Sequence, residues 1–544
     1  MKWWWAGGVA VFLAGSGVLV WQLNQTPVPA IRLAPAHAEI FIACPDLSAT
    51  LRRWPETTLA QIMAEPGVSR FVGHPWRALP KAYPLIWADL IKLQPTSAFF
   101  CSADVLHRGW LLGIRCSKDL RSWQHEAEIL ADNNFGGHFY VVDPEASTGS
   151  LRAKDLPGTE VYGMRIGNWL LFAPEPEPLK AALGQSSQAH AGLETNEIFT
   201  KCQGKVPADA DVLTFLRGPM MDLFAVPGSG ETGPREGLMA TTRLEGREIR
   251  DQVFTLHSGA PADRALDRKL LDAADPNALF YLGTHLTPSV CRRWVQAAAV
   301  RFPWATAADQ YLQALQESGM RVDDLDRLLG DVGIVVARNS ATGAIEPVVN
   351  IDVTDPGRFW SWTSVLINQK FAGRSQQVEI EQVPAYLLRV GSQPMTLLFG
   401  MVDRRLVLAS SPSAFAETVR RLRVHQAGLQ ESERYRRITA MVSPPTEAFA
   451  YLDGKSTFEC VYAALRPMAV LGSAFVPTLA HYVDPFTLPE TDEVSRHLTP
   501  IVFSRHRLPE GTIDESVGPI TAYQALILAF GAGVACGVVQ DGQG

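Results

Sequence analysis

The chain has 544 residues, of which 47% are hydrophobic and 19% charged, and a formal net charge of −7. An ordinary apolar fraction with so few charges excludes long disorder, and an acidic balance has the wrong sign for a nucleic-acid binder, whose basic face must neutralise phosphates. Seven cysteines without a C-x-x-C pair do not make a disulfide framework.

The amino terminus, MKWWWAGGVAVFLAGSGVLVWQL, carries no charged side chain between Lys2 and Arg32. Its apolar run is about the ~20 residues that cross a bilayer core as a helix. Trp3, Trp4 and Trp5 at one end and Trp21 at the other match the aromatic belts of a membrane span. Residues 1–24 therefore read as a signal-anchor transmembrane helix and 25–35 as a Pro-containing tether. Lys2 favours a cytoplasmic amino terminus, with the body outside the cytoplasm on a single-pass inner-membrane protein. The competing reading is a cleaved signal peptide ending near Ala36-His37-Ala38, a small-x-small triplet that lies well past the apolar run.

The body reads as one unit written twice. Ala38-Glu39-Ile40-Phe41-Ile42 through Arg52-Arg53-Trp54 stands 240 positions before Ala278-Leu279-Phe280-Tyr281-Leu282 through Arg292-Arg293-Trp294. Leu111 to Trp123 falls on Val348 to Trp360, each a strand running into a helix that Ser117 or Thr354 is placed to cap. Gly163 to Phe172 matches Gly400 to Ala409, two strands around the turns Gly167-Asn168 and Asp403-Arg404. Val212 to Gly218 matches Ala448 to Gly454, and Met239 to His257 and Pro500 to Ser516 each read as a closing hairpin.

Short turns between strands imply antiparallel pairing, and amphipathic segments such as Leu120–Leu130 and Phe415–Leu422 predict helices over one face. The expected fold is α+β: two tandem repeats of a mostly antiparallel sheet with helices on one face, preceded by the transmembrane helix. Repeat 1 is placed at 36–260, a linker at 261–274, repeat 2 at 275–518 and an apolar helix and tail at 519–544. The uncharged run Ile520 to Val539 reads either as a helix docked on repeat 2 or as a second span.

No motif fixes a reaction. Gly228-Ser229-Gly230-Glu231-Thr232-Gly233 spells G-x-G-x-x-G, but prolines at 227 and 234 flank it where a strand and a helix are required. The histidines show no H-E-x-x-H or H-x-x-x-H spacing, so no metal and no cofactor is expected, and His285 reads as a core-capping or solvated residue. Cys44, Cys101, Cys116 and Cys291 lie in apolar contexts that suit small buried hydrophobes. The polar feature shared by both copies is Arg-Arg-Trp. Arg52, Arg53, Arg292 and Arg293 are thus the candidate anion or headgroup contacts, since Arg offers a planar fork to phosphate or carboxylate. The structural alternative has Trp54 and Trp294 anchoring a helix to the sheet, as Trp123 and Trp360 do beneath Arg121 and Arg358.

Pro35 to Leu47 (PAHAEIFIACPDL), the helix start Thr57-Thr58-Leu59-Ala60-Gln61 and the tail Glu515 to Thr521 together resemble a bacterial family of membrane-anchored envelope proteins classed as a domain of unknown function. The resemblance implies an N-terminal anchor and a large extracytoplasmic region, and it assigns no catalytic residues. The expected function is a membrane-tethered, non-enzymatic binding or assembly scaffold, contacting the membrane through the N-terminal helix and an envelope protein as partner. Its rivals are a hydrolase whose site forms only in the fold and a lipid-binding protein.

Overall fold

A computed structural model of the chain describes residues 28–71, 94–104, 109–117, 138–143, 148–152, 160–188, 190–218, 221, 235–257, 265–285, 324, 327–339, 341–370, 373, 375–390, 395–424, 428–475, 487–521 and 524. Contacts divide the chain into two units. One comprises Met1–Ser48, Lys81–Thr200 and Leu213–Phe215, the other Ala49–Pro80, Lys201–Val212 and Leu216–Gly544.

The first unit contains β1 (Ile40–Cys44), β2 (Pro95–Asp104), β3 (Gly109–Cys116), β4 (His138–Asp143), β5 (Thr148–Arg152), β6 (Glu160–Ile166) and β7 (Trp169–Ala173). They pair antiparallel in the order β1–β2–β3–β7–β6–β5–β4. Alternation in β1 buries Phe41 and Ala43 while Ile42 points out. Phe41 starts an aromatic core: its ring lies 6.1 Å from Phe99 and 6.2 Å from Phe199, edge-on to the latter. Trp169 meets Phe99 at 5.2 Å and Phe215 meets Phe199 at 5.2 Å, both edge to face, the arrangement that ring quadrupoles favour. The buried Trp169 indole donates its Nε1–H to the Val28 carbonyl, so burying the ring orphans no donor. β8 (Val212–Arg217) pairs with β1.

The second unit holds β9 (Arg235–Glu245), β10 (Glu248–His257), β11 (Phe280–Thr284), β12 (Leu329–Arg338), β13 (Ile345–Val353), β14 (Ser375–Ile380), β15 (Val383–Val390), β16 (Met395–Val402), β17 (Arg405–Ala409), β18 (Ala448–Leu452), β19 (Ile501–Leu508) and β20 (Gly511–Gly518). From β11 onward the order is β11–β12–β13–β17–β16–β15–β14, the order found in β1 to β7. On the other side β11 pairs β18, then β19, β20, β10 and β9 follow. The β16–β17 turn closes at Val402 opposite Arg405, with Asp403 at φ 52°. The β14–β15 turn places Glu381 and Gln382 at φ 50° and 60°, a primed hairpin turn built without glycine. Arg423 fastens it by donating to the carbonyls of both residues.

These pairings correct the expected architecture in three respects. The strands do not divide into two tandem sheets at 260: β10, expected in repeat 1, bonds antiparallel to β20, expected in repeat 2, within the second unit. Helices do not keep to one face either. Val383, Ala385, Leu398 and Val407 pack beneath Phe415 and Val419 of the helix Pro412–Val424. Their neighbours in sequence, Tyr386, Phe399 and Leu406, pack against Phe359 and Ile367 of the helix Pro356–Lys370. Successive strand residues point to opposite faces, so the sheet here feeds two cores. Gly400 fits this sandwich because a Cβ there would lie 2.8 Å from the Phe415 ring and 3.0 Å from the Pro384 carbonyl. Finally, among the described residues no helix is long and apolar enough to cross a membrane. The N-terminal transmembrane helix is therefore not supported, and its residues 1–24 lie outside those described, as does the run 525–539.

Local expectations are also adjusted. Thr354 does not cap the helix after β13. Its hydroxyl donates to the carbonyls of Arg327 and Leu328, while Asp355 accepts from the Arg358 N–H at 3.0 Å. Trp360 does enter the core, 5.5 Å from Tyr386, but the Arg358 guanidinium lies over Trp362, 4.5 Å from its ring centroid.

Candidate binding surface

The shared Arg-Arg-Trp motif has a structural use in its first copy. Arg53, at the end of the helix Leu47–Arg53, pairs with Asp211, whose side chain is only 1% exposed. That carboxylate also accepts from the Thr50 hydroxyl at 2.7 Å and the Leu244 N–H at 2.9 Å, while the Asp211 N–H donates to the Thr242 carbonyl. One acid thus ties the helix to β9. Arg52 is exposed, and Trp54 sits on a 3-10 turn with 38% exposure rather than anchoring a helix in the core. Arg292, Arg293 and Trp294 lie outside the described residues, as do Trp123, Cys291 and the glycine string 228–233.

A second polar group gathers where β11, β12, β18 and β19 end. His285 Nδ1 stands 2.6 Å from an Asp331 oxygen and Nε2 stands 2.9 Å from the Thr446 carbonyl. The other Asp331 oxygen accepts the Asp267 N–H at 2.8 Å. With both ring nitrogens directed at oxygens, His285 bridges backbone segments and offers no open nitrogen to a substrate. Beside it, Arg505 makes a two-pronged contact with Asp514 at 2.7 and 2.8 Å, and Arg507 pairs with Glu447 at 2.7 Å. Burial holds the Glu447 carboxyl above its usual range against the pull of Arg507 and Arg505. Among the described residues no group of three or more His, Cys, Asp or Glu is arranged to hold a metal ion. Burial pushes the thiols of Cys101 and Cys116 up to about 12 and about 11, and that of Cys202 to about 12 with help from Glu236, the direction opposite to a reactive thiolate.

A third group carries a testable pH signature. Glu65 accepts from Arg496 and stands 2.5 Å from His497 Nε2. Bonding to Arg496, then His497, lowers its carboxyl from 4.5 to about 2. A depressed acid stabilises the fold fully above its unfolded value and loses that contribution as pH falls from 4.5 towards 2. Glu65→Gln is expected to remove stability at neutral pH and to flatten the acid limb across that window, read by circular dichroism during acid titration. An unchanged acid limb would contradict the assignment.

Among the described residues, the helix Gly454–Phe475 carries three of the exposed large hydrophobic side chains. Asp453 caps its start, accepting the Ser456 N–H at 3.0 Å. Tyr462 donates to the Pro489 carbonyl and Arg466 pairs with Glu490, so one side of the helix is fastened to the segment at 489–493. The opposite side is bare: Val461, Leu465 and Met468 are 46%, 53% and 65% exposed, and Ala464 is exposed between them. Positions spaced three and four apart make one continuous stripe. Beside the start of this helix lies Glu433–Thr439, with exposed Arg434, Arg436 and Arg437. Arg434 reaches Asp453 at 3.5 Å, and Glu433, Arg436 and Arg437 line a cavity of about 540 Å³. Sequence patterning missed the stripe because Val461, Leu465 and Met468 carry the same signal as a core-facing helix.

No family model matches the chain, and no curated protein matches it. Among solved structures it is similar to crystal forms III, I and IV of TP0453, at TM-scores of 0.29, 0.28 and 0.28 and identities of 9%, 7% and 9%. The alignments cover 43% of this chain and 82%, 81% and 82% of those chains, a likeness below the level that marks a common fold.

Proposed function

We propose that the protein is a non-enzymatic scaffold that works outside the cytoplasm and docks on the surface of the bacterial inner membrane. The observation that carries this reading is the apolar stripe Val461, Ala464, Leu465 and Met468 on an otherwise fastened helix. A soluble partner is not needed to explain such a stripe. A helix lying in the interface plane buries an apolar face among acyl chains while neighbouring cations meet anionic headgroups. Arg434, Arg436 and Arg437 are the neighbouring cations. The resemblance of Pro35 to Leu47, Thr57 to Gln61 and Glu515 to Thr521 to envelope proteins supports the location.

Magnitudes make this a weak and reversible contact. Completing the burial of the three large side chains contributes about 3 kcal/mol, and each arginine near an anionic surface about 1 kcal/mol. Co-sedimentation of the full chain with vesicles of phosphatidylcholine and phosphatidylglycerol tests it. Binding is expected, weaker on phosphatidylcholine alone, and at least tenfold weaker for the doubly substituted Leu465→Glu/Met468→Glu chain, whose changes are at exposed positions. Equal binding by parent and variant would defeat the reading.

A further inference from the structure

We propose that the edge strand β14 pairs antiparallel with β14 of a second copy of the chain, extending the sheet across a twofold axis. β14, Ser375-Gln376-Gln377-Val378-Glu379-Ile380, is bonded along one side to β15, from Ser375 opposite Leu388 to Ile380 opposite Val383. Among the described residues no strand pairs with its other side. An open edge presents a row of backbone donors and acceptors, and proteins usually guard it with lysine, proline or a bulge. β14 has none of these. Its one charge is Glu379, and Gln376, Gln377 and Glu379 are exposed.

The strand is self-complementary. Val378 and Ile380 rest on the core under the helix Pro412–Val424, so the even-numbered positions share the covered face and Gln377 and Glu379 share the other. A twofold axis perpendicular to the sheet preserves faces, so it must pass through a residue position. Centred on Val378, it sets Val378 opposite its counterpart, Gln376 opposite Ile380 and Gln377 opposite Glu379. No like charges meet, and each carboxylate faces an amide donor.

The chain already contains a joint of this geometry. In the hairpins β9–β10 and β19–β20 the closing pairs are Glu245 with Glu248 and Leu508 with Gly511. Gln252 lies four residues beyond Glu248, Glu515 lies four beyond Gly511, and the two stand opposite each other in the β10–β20 ladder. Equivalent strands thus meet antiparallel about a local dyad. β20 and β14 are the two border strands of the set β11–β20, so the second-copy pairing would repeat this joint at the opposite border, and it does not depend on lipid.

Sedimentation velocity of the full chain without lipid, from about 1 to about 100 µM, tests the proposal. A six-residue ladder is a small interface, so a reversible monomer–dimer equilibrium in that range is expected. Gln377→Glu sets a carboxylate opposite Glu379 at each of the two symmetric positions and is expected to weaken the dimer about tenfold. Gln377→Lys places an ammonium there and is expected to tighten it by a similar factor. A monomer throughout, or self-association indifferent to both substitutions, overturns the proposal. The first result would leave the edge to some other extended chain. Vesicle binding by a strictly monomeric chain would leave the membrane reading standing on its own.

Discussion

Asp211→Ala is expected to cost the second unit about 3 kcal/mol. The carboxylate is buried and accepts three donors, from Arg53, Thr50 and the Leu244 backbone. Removing it strands the Leu244 N–H, in a residue that is itself buried, at about 1–3 kcal/mol. Losing the charge-assisted bonds adds to this, short of the ~3–5 kcal/mol of a fully buried broken pair, because the Arg53 side chain is 47% exposed and keeps its hydration. Asp211→Asn preserves an acceptor for Leu244 and should cost about half as much. Arg53→Ala leaves Asp211 its two other donors and should cost about 1 kcal/mol. Urea unfolding of the three variants gives the order directly. Equal losses from Arg53→Ala and Asp211→Ala would show that the guanidinium, not the buried acid, organises the contact.

Gly511→Ala is expected to open one end of the β10–β20 joint. A Cβ at Gly511 would lie 2.1 Å from the Thr255 carbonyl oxygen and 3.0 Å from the Phe254 ring. The nearest atom is backbone in the paired strand, where Gly511 stands opposite Leu256, so the clash cannot be relieved by turning a side chain. Overpacking of this kind costs about 1–3 kcal/mol, and the backbone contact places it at the upper end. Amide exchange at 254–256 and 511–513 should then accelerate roughly thirtyfold or more while 249–252 holds. Uniform acceleration along both strands would mean that the joint opens as a whole.

What could be read from the sequence follows from the range of the interaction. Turns at Gly167-Asn168 and Asp403-Arg404 are local chemistry, and β6–β7 and β16–β17 close there. The second core was also written in the sequence, in runs such as Leu397-Leu398-Phe399. An uninterrupted apolar strand signals burial on both faces, and here Leu398 and Phe399 go to different cores. The β10–β20 joint left no such trace, since the strands are some 260 positions apart and either hairpin reads the same as an edge or as an interior pair. Asp211 was missed for a related reason. A single acid in a polar turn has no pattern, and only folding brings Thr50, Arg53 and Leu244 around it. The paired arginines drew attention as a repeated string, yet the structure gives Arg53 a carboxylate of its own chain.

Both proposed contacts, edge pairing at β14 and surface docking at the helix Gly454–Phe475, lie on the second unit. Rigid spacing between β14 and the helix Gly454–Phe475 within the second unit would let edge pairing and surface docking act together, each weak alone.

Residue-resolved amide exchange along β10 of the unmodified full chain tests the continuity of the sheet most directly. β10 is bonded to β9 on one side and β20 on the other, so every amide from Ile249 to Leu256 should exchange slowly. Fast exchange at every second amide would mark β10 as an open edge and restore two separate sheets.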